Sequence, residues 1–263
     1  MTDTDLDRAH RAMAADPQDD AARLRFYEAL ADSEIFLLLK DEAGEDSVEP
    51  EVVEVEGAGF VLAFDSEERL ADFTGRTAPY AALSGRGLAE MLQGQGLGLG
   101  LNLDVAPSSA LLPAAAVDWL CDMLAARPEE AEGAVEEILP PTLPRAAVEG
   151  LRSKLARAGG LAQAALLAGA RFEDGGSGHF LAFIGAAPAA ESALAKAVGE
   201  AVLFSGLEGE SVDVVFFEPD NPLVAEIAAV AIAFDLPAPQ RDETVQVPGA
   251  APGMDPANPP RLK

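Results

Sequence analysis

Three prolines fall within seven residues at Ile138-Leu139-Pro140-Pro141-Thr142-Leu143-Pro144. Proline fixes φ and removes a backbone donor, so neither a regular helix nor a central strand runs through this stretch. It divides the chain into two halves. In each half, short apolar runs alternate with stretches of helical periodicity, the pattern of sheets layered with helices. The expected fold class is therefore α/β (α+β): two mixed-sheet α/β domains, an N-terminal helical hairpin and a disordered C-terminal tail. With 263 residues, 49% of them hydrophobic, the chain is long enough for two domains and apolar enough to fill two cores.

The expected boundaries are 1–31 for the hairpin, 32–128 for the first domain, 129–143 for an acidic, proline-rich linker, 144–235 for the second domain and 236–263 for the tail. Leu6, Ala9 and Met13, then Leu24, Tyr27 and Leu30, recur at helical spacing, with Asp16-Pro17 expected to end one helix and start the next. The pair resembles one hairpin of a tetratricopeptide array. A single copy cannot bury its own face, so it should pack on the next domain. Residues 33–40 and 60–64 read as buried strands, and 51–56 as an alternating strand in a hairpin with the latter. Ser66 is placed to cap a helix with Glu67 and Glu68 in its first turn. A short strand at 80–83, a helix at 84–92, an alternating Leu/Gly strand at 97–103 and a helix at 113–127 complete this half.

Beyond the prolines, 144–158 reads as a helix with Val148, Leu151 and Leu155 inward and Arg145, Arg152, Lys154 and Arg157 elsewhere. Strands follow at 161–171 and 179–184, then a helix at 188–204, a strand at 212–217 and a last helix at 221–234. Seven prolines among the 28 residues from Leu236 onward point to a loose tail.

Charge limits function. Lys plus Arg is 18 against 45 Asp plus Glu, a net charge of −27. Such a chain repels phosphate backbones and anionic lipid, so neither nucleic acid nor a membrane is an expected partner. No apolar run reaches the roughly 18 residues a bilayer span needs, and the start MTDTDLDRAH lacks the basic and apolar parts of a signal peptide. One cysteine, Cys121, and two histidines, His10 and His179, fit a reducing cytoplasm and leave little for metal chemistry. No cofactor and no metal is expected.

Gly94-x-Gly96-x-Gly98-x-Gly100 follows a helix and enters a strand, the reverse of a dinucleotide loop, and reads as a turn plus a glycine-bearing strand. His179 near Ser177 and Asp174 reads as a solvent-facing loop residue, not part of a hydrolase triad. Cys121, flanked by Asp118 and Asp122, reads as a buried small hydrophobe. The eight acids and no base at 41–56 lack a calcium-loop pattern and read as a solvated strand edge. The basic helix 144–158 reads as a solvated face, with contact to an acidic partner or to the acidic strand of the first half as the alternative. The candidate ligand-binding residues are Asp65 and Ser66 after one strand, and Asn102, Ser108 and Ser109 after another. Both groups stand at carboxyl ends of strands, where open α/β sheets build their sites. Capping is the competing role for Ser66 and Ser109. No residue is a catalytic candidate.

SEIFLLL at 33–39, GFVLAFDSEERLADF at 59–73 and LGLNLDVAPSSALL at 99–112 resemble the N-terminal domain of the SseB (enhanced serine sensitivity) family. The second half, with its proline-rich start and β-β-α-β-α order, is similar to that family's C-terminal domain. The resemblance covers roughly 30–235 and leaves out the helical start. Asp65 stands where the family usually has Thr, and Leu103 where it tends to have Pro. The resemblance implies a bacterial, cytoplasmic protein without established catalytic residues. The expected function is a non-enzymatic interaction or regulatory role with an unidentified protein partner. The alternatives are a small-molecule sensor, its ligand an amino acid or another metabolite, built on the Asp65-Ser66 and Asn102-Ser109 loops, and a hydrolase or transferase.

Overall fold

The fold was analysed on a computed structural model that describes residues 3–41, 48–125, 135–173, 175–206 and 212–236. The tail from 237 on, the centre of the acidic run and most of the expected linker lie outside the described residues.

The chain opens with two helices, α1 (Asp5–Ala15) and α2 (Asp20–Asp32). The second begins later than Asp16-Pro17 suggested, because Asp19 is its cap: the Asp19 carboxylate accepts from Ala22 N at 3.0 Å. Strands β1 (Glu34–Leu38), β2 (Val52–Val55) and β3 (Ala58–Phe64) follow, then α3 (Glu67–Thr74), β4 (Tyr80–Ser84) and α4 (Gly85–Leu92). The unit closes with β5 (Gly98–Leu101), β6 (Ala110–Leu112) and α5 (Ala114–Ala125). The β2–β3 turn is a two-residue one, Glu56-Gly57, with φ of 54° and 84°; this left-handed pair matches the twist of the paired strands.

These strands make one six-stranded sheet in the order β4-β1-β3-β5-β6, with β2 also on β3. Strands β3 and β5 run parallel at its centre. One face is covered by α1, α2, α4 and α5, which bury Leu6, Phe26, Leu30, Leu88 and Leu120 against Ile35, Leu37 and Val61. The other face carries α3, with Leu70 on Leu38, Leu62 and Phe64. The hairpin thus packs on the first domain, because its apolar stripe has nowhere else to go.

The alternating stretch forms a strand as expected, and all four residues of β5 are buried. A parallel strand covered on both faces needs no polar side. The Leu/Gly alternation marks close packing: a Cβ on Gly98 would lie 2.5 Å from the Phe60 ring.

The second sheet has five strands. They are β7 (Val135–Leu139), β8 (Ala164–Phe172), β9 (Ser177–Ile184), β10 (Val212–Phe217) and β11 (Ile232–Phe234). Helices α6 (Arg145–Leu155) and α7 (Glu191–Leu203) cover one face and the short α8 (Leu223–Ala228) the other. Two elements differ from expectation. Val135–Leu139, placed in the linker, pairs with β8 and stops where Pro140 begins. Residues 232–234, placed in the last helix, pair antiparallel with β8. Both are short edge segments whose pairing depends on β8 being there, not on their own periodicity.

The helical layers of the two domains meet. Phe204, just after α7, is fully buried in the core cluster of the first domain.

Candidate functional site

Asp65 and Asn102 stand at the carboxyl ends of the parallel strands β3 and β5, as the sequence suggested. Asn102 adopts φ 47°, a left-handed conformation uncommon outside glycine. Its side chain holds that turn in place: Oδ1 accepts from Asp65 N at 3.0 Å, and Nδ2 donates to Ser108 Oγ at 2.9 Å. Ser66 caps α3, accepting from Arg69 N at 3.3 Å. Ser109 Oγ accepts from Asp104 N at 3.3 Å. Asp65, Asn102 and Ser108 are therefore brought together, while Ser66 and Ser109 finish local turns.

Two residues missing from the sequence candidates complete the cluster. Arg69, on α3 one turn beyond Asp65, is 2% exposed and donates from Nη1 to both Asp65 carboxylate oxygens at 2.7 and 2.8 Å. Asp7 enters from α1 and is wholly buried. It accepts from Ser108 N at 3.2 Å, from Ser108 Oγ at 2.6 Å, from Thr4 N at 3.1 Å and from both Arg69 terminal nitrogens. Thr4 Oγ1 donates to Asp65 Oδ2 at 2.8 Å. Burial would raise the Asp7 carboxyl, but hydrogen bonds from Arg69, Ser108 and Thr4 win and hold it well below the ordinary carboxylate range. The site an open sheet keeps for a ligand is filled by the chain's own carboxylate. Two signals were legible: the Thr4-x-x-Asp7 capping box, which forms, and the helical i,i+4 spacing of Asp65 and Arg69.

A second charged cluster joins the domains. Arg86 of α4 holds Glu200 of α7 in a two-point contact at 2.8 and 3.0 Å and reaches Asp32 of α2 at 3.3 Å. Lys154 of α6 donates to both Asp32 oxygens at 3.0 and 2.8 Å and lies 3.0 Å from Glu200. Arg157 reaches Asp32 at 2.6 Å. Burial opposes the Lys154 charge, yet Asp32, Glu28 and Glu200 together hold its pKa above that of an ordinary lysine. The expected solvated face therefore holds for Arg145 and Arg152, while Lys154 and Arg157 turn to acidic groups of the first half. Their acidic counterpart is the helical hairpin, not the acidic strand.

Glu28 of α2 is the exception in this cluster. Its Oε1 is buried, lies 3.5 Å from Lys154 Nζ and accepts no hydrogen bond. Burial pushes its carboxyl up to about 7, against the pull of Lys154. Glu28 lines an open cleft of about 410 Å³ between α1–α2 and α6, walled in part by Ala9, Ala29, Ala146 and Gly150.

The family model described as the SseB protein N-terminal domain matches residues 6–119. Residues 6–119 thus form an SseB N-terminal domain. The match starts inside α1, so the hairpin left out of the resemblance is part of the SseB domain. Leu6, Asp7, Phe26 and Leu30 explain why: each is buried in that unit. No curated protein and no solved structure matches the chain.

The remaining candidates are peripheral to both clusters. In the SseB domain, Cys121 is buried and burial, with Glu90, Asp122 and Asp118 nearby, pushes its thiol up, away from the reactive thiolate. His179 Nε2 accepts from Thr142 N at 3.1 Å, which ties β9 to the proline segment, where a solvent-facing ring had been expected. Among the described residues, no group of three or more His, Cys, Asp and Glu side chains is arranged to hold a metal ion. No helix among them is long and apolar enough to cross a membrane.

Proposed function

We propose that this SseB-domain protein is a non-enzymatic interaction or regulatory protein of the bacterial cytoplasm, acting on a protein partner. The observation that supports this reading is the internal use of its buried polar groups. Asp7, Asp65, Arg69, Asn102 and Ser108 bond to one another and fix the hairpin to the sheet. Arg86, Lys154, Asp32 and Glu200 fix one helical layer to the other. Such groups specify a rigid two-domain platform. We take the second domain to be the family's C-terminal domain, on its mixed sheet and two covering helices.

The test is isolation of the full chain from cells at native abundance, by cross-linking and native mass spectrometry. A partner of fixed stoichiometry is expected, retained when Glu28→Gln is introduced. Turnover of any substrate that Glu28→Gln abolishes would contradict the reading and establish the hydrolase or transferase alternative.

One observation favours a second reading, small-molecule binding. The cleft beside Glu28 has the volume of a ligand site and is lined by charged side chains of α1, α2 and α6. The sensor reading thus moves away from the strand-end loops, which Asp7 occupies.

A further inference from the structure

The outer face of α5 sets an exposed aromatic side chain inside an acidic rim. The helix buries Val117, Leu120, Cys121 and Leu124 in the core of the first domain. Helical periodicity turns Asp118, Trp119, Asp122 and Met123 to the other side. Trp119, the chain's single tryptophan, is 37% exposed. It makes a T-shaped contact with Tyr27 of α2, the ring centroids 5.0 Å apart. Tyr27 in turn packs on the buried Phe26, so the aromatic pair is anchored in the core. Half-buried Met123 lies one turn beyond Trp119. Rigid aromatics and a pliable methionine at a surface are what interface centres are made of.

The rim is negative. Asp118, Asp122 and Glu90 of α4 all act on the Cys121 thiol, which places them around one spot on the two helices. Asp118 accepts from Gly94 N at 2.9 Å and Asp122 from Gln93 Nε2 at 3.1 Å, neutral donors that leave both charges in place. Among the described residues, no Lys or Arg pairs with any of the three carboxylates. Arg23, close enough to act on the Tyr27 hydroxyl, is paired with Asp20. The acids of the domain interface differ, since Lys154 and Arg86 meet them there.

The two features select the same contact. An indole ring attracts a cation, more often a guanidinium than an ammonium. A carboxylate receives a guanidinium through two parallel donors. Trp119 and Asp122 are three residues apart on one helix, near enough for a single arginine to meet both. The net charge of −27 draws a basic partner in and repels a second copy of this chain.

We propose that the α2–α5 face docks a basic segment of a partner protein, an arginine of that segment lying against the Trp119 ring and pairing with Asp122, with Asp118 and Glu90 receiving its further cations. The proposal rests on the interaction reading given above and adds the surface and the chemistry of the partner.

The test titrates the full chain with short peptides that repeat Ala-X-Gly, where X is arginine, lysine or glutamate. Trp119 emission is the readout, with calorimetry for the variant that lacks it. The arginine peptide should change the emission saturably, the lysine peptide should bind several-fold more weakly, and the glutamate peptide should do nothing. Trp119→Ala should weaken the arginine peptide about tenfold. The pair Glu90→Lys and Asp122→Lys, at exposed positions, should weaken it as well, whereas Glu149→Lys with Glu226→Lys, equal in charge but on α6 and α8, should not. Binding that both pairs weaken alike, or that Trp119→Ala leaves intact, is attraction to the overall charge and overturns the proposal. Self-association lost in Trp119→Ala would put a second copy on this face and also overturn it. A cellular partner cross-linked equally well to the Glu90→Lys, Asp122→Lys variant would overturn this surface and keep the interaction reading. Absence of any cross-linked partner counts against that reading itself.

Discussion

The two buried charge clusters are built from the same residue types and end differently. At the strand ends, the Asp7 carboxylate receives hydrogen bonds from three residues besides itself in sequence: Thr4, Arg69 and Ser108. At the domain interface, Glu28 sits beside Lys154 at 3.5 Å and receives none. Burial acts on both carboxylates in the same direction. The hydrogen bonds decide the outcome, sending Asp7 below the ordinary range and Glu28 above it. Thus a buried carboxylate in this protein is held ionised where it is saturated with donors, and is pushed towards its neutral form where it is not.

The largest effect should come from breaking the saturated cluster. Arg69→Met leaves Asp7 and Asp65 buried without their cation, so urea unfolding should show a loss of about 3–5 kcal/mol. Lys154→Met removes the cation shared by Asp32, Glu200 and Glu28, but Arg86 and Arg157 remain. Its cost should be smaller, about 2 kcal/mol, and should appear in the same measurement as separation of the two domains' unfolding transitions.

Asp7→Asn should cost about 1–3 kcal/mol at neutral pH, because the amide keeps the shape and loses the charge-assisted bonds. Its pH profile is the sharper readout. A carboxyl depressed in the fold gives stability that is complete above its unfolded pKa, about 4, and is lost as pH falls further. Wild type should therefore lose more stability than Asp7→Asn between about pH 4 and pH 2.

Glu28→Gln should act with the opposite sign. A carboxyl raised in the fold favours the folded state most below its unfolded pKa, and that advantage disappears as pH rises to about 7. Relative to wild type, the variant should gain about 1–3 kcal/mol on going from pH 4 to pH 8, seen as a rise in Tm. The smallest effect belongs to Ser66→Ala. It removes one cap from α3 and should cost about 1 kcal/mol without touching either cluster.

Elements with their own local signal were legible in the sequence. The hairpin, β1, β3, α3, α5 and β9 each carry a complete run, cap or apolar face within a few residues. Strands β7 and β11 do not; they exist because β8 offers an edge. The strand-end position of Asp65, Asn102 and Ser108 was legible for the same local reason. What fills that position was not, since Asp7 lies 62 residues from Arg69 and 101 from Ser108. Lys154 shows the same limit: beside the exposed Arg145, Arg152 and Arg157, nothing in the sequence marks it as the buried cation facing the hairpin.

One titration tests the contrast between the clusters most directly. Side-chain carboxyl resonances of Asp7 and Glu28 can be followed by 13C NMR in a single sample of the full chain from pH 8 to pH 3. Asp7 should still be ionised at about pH 4, where ordinary carboxylates are half protonated, while Glu28 should pass its midpoint at about 7. Both groups titrating together near pH 4 would show that neither cluster is closed in the way its geometry indicates, and would contradict the account.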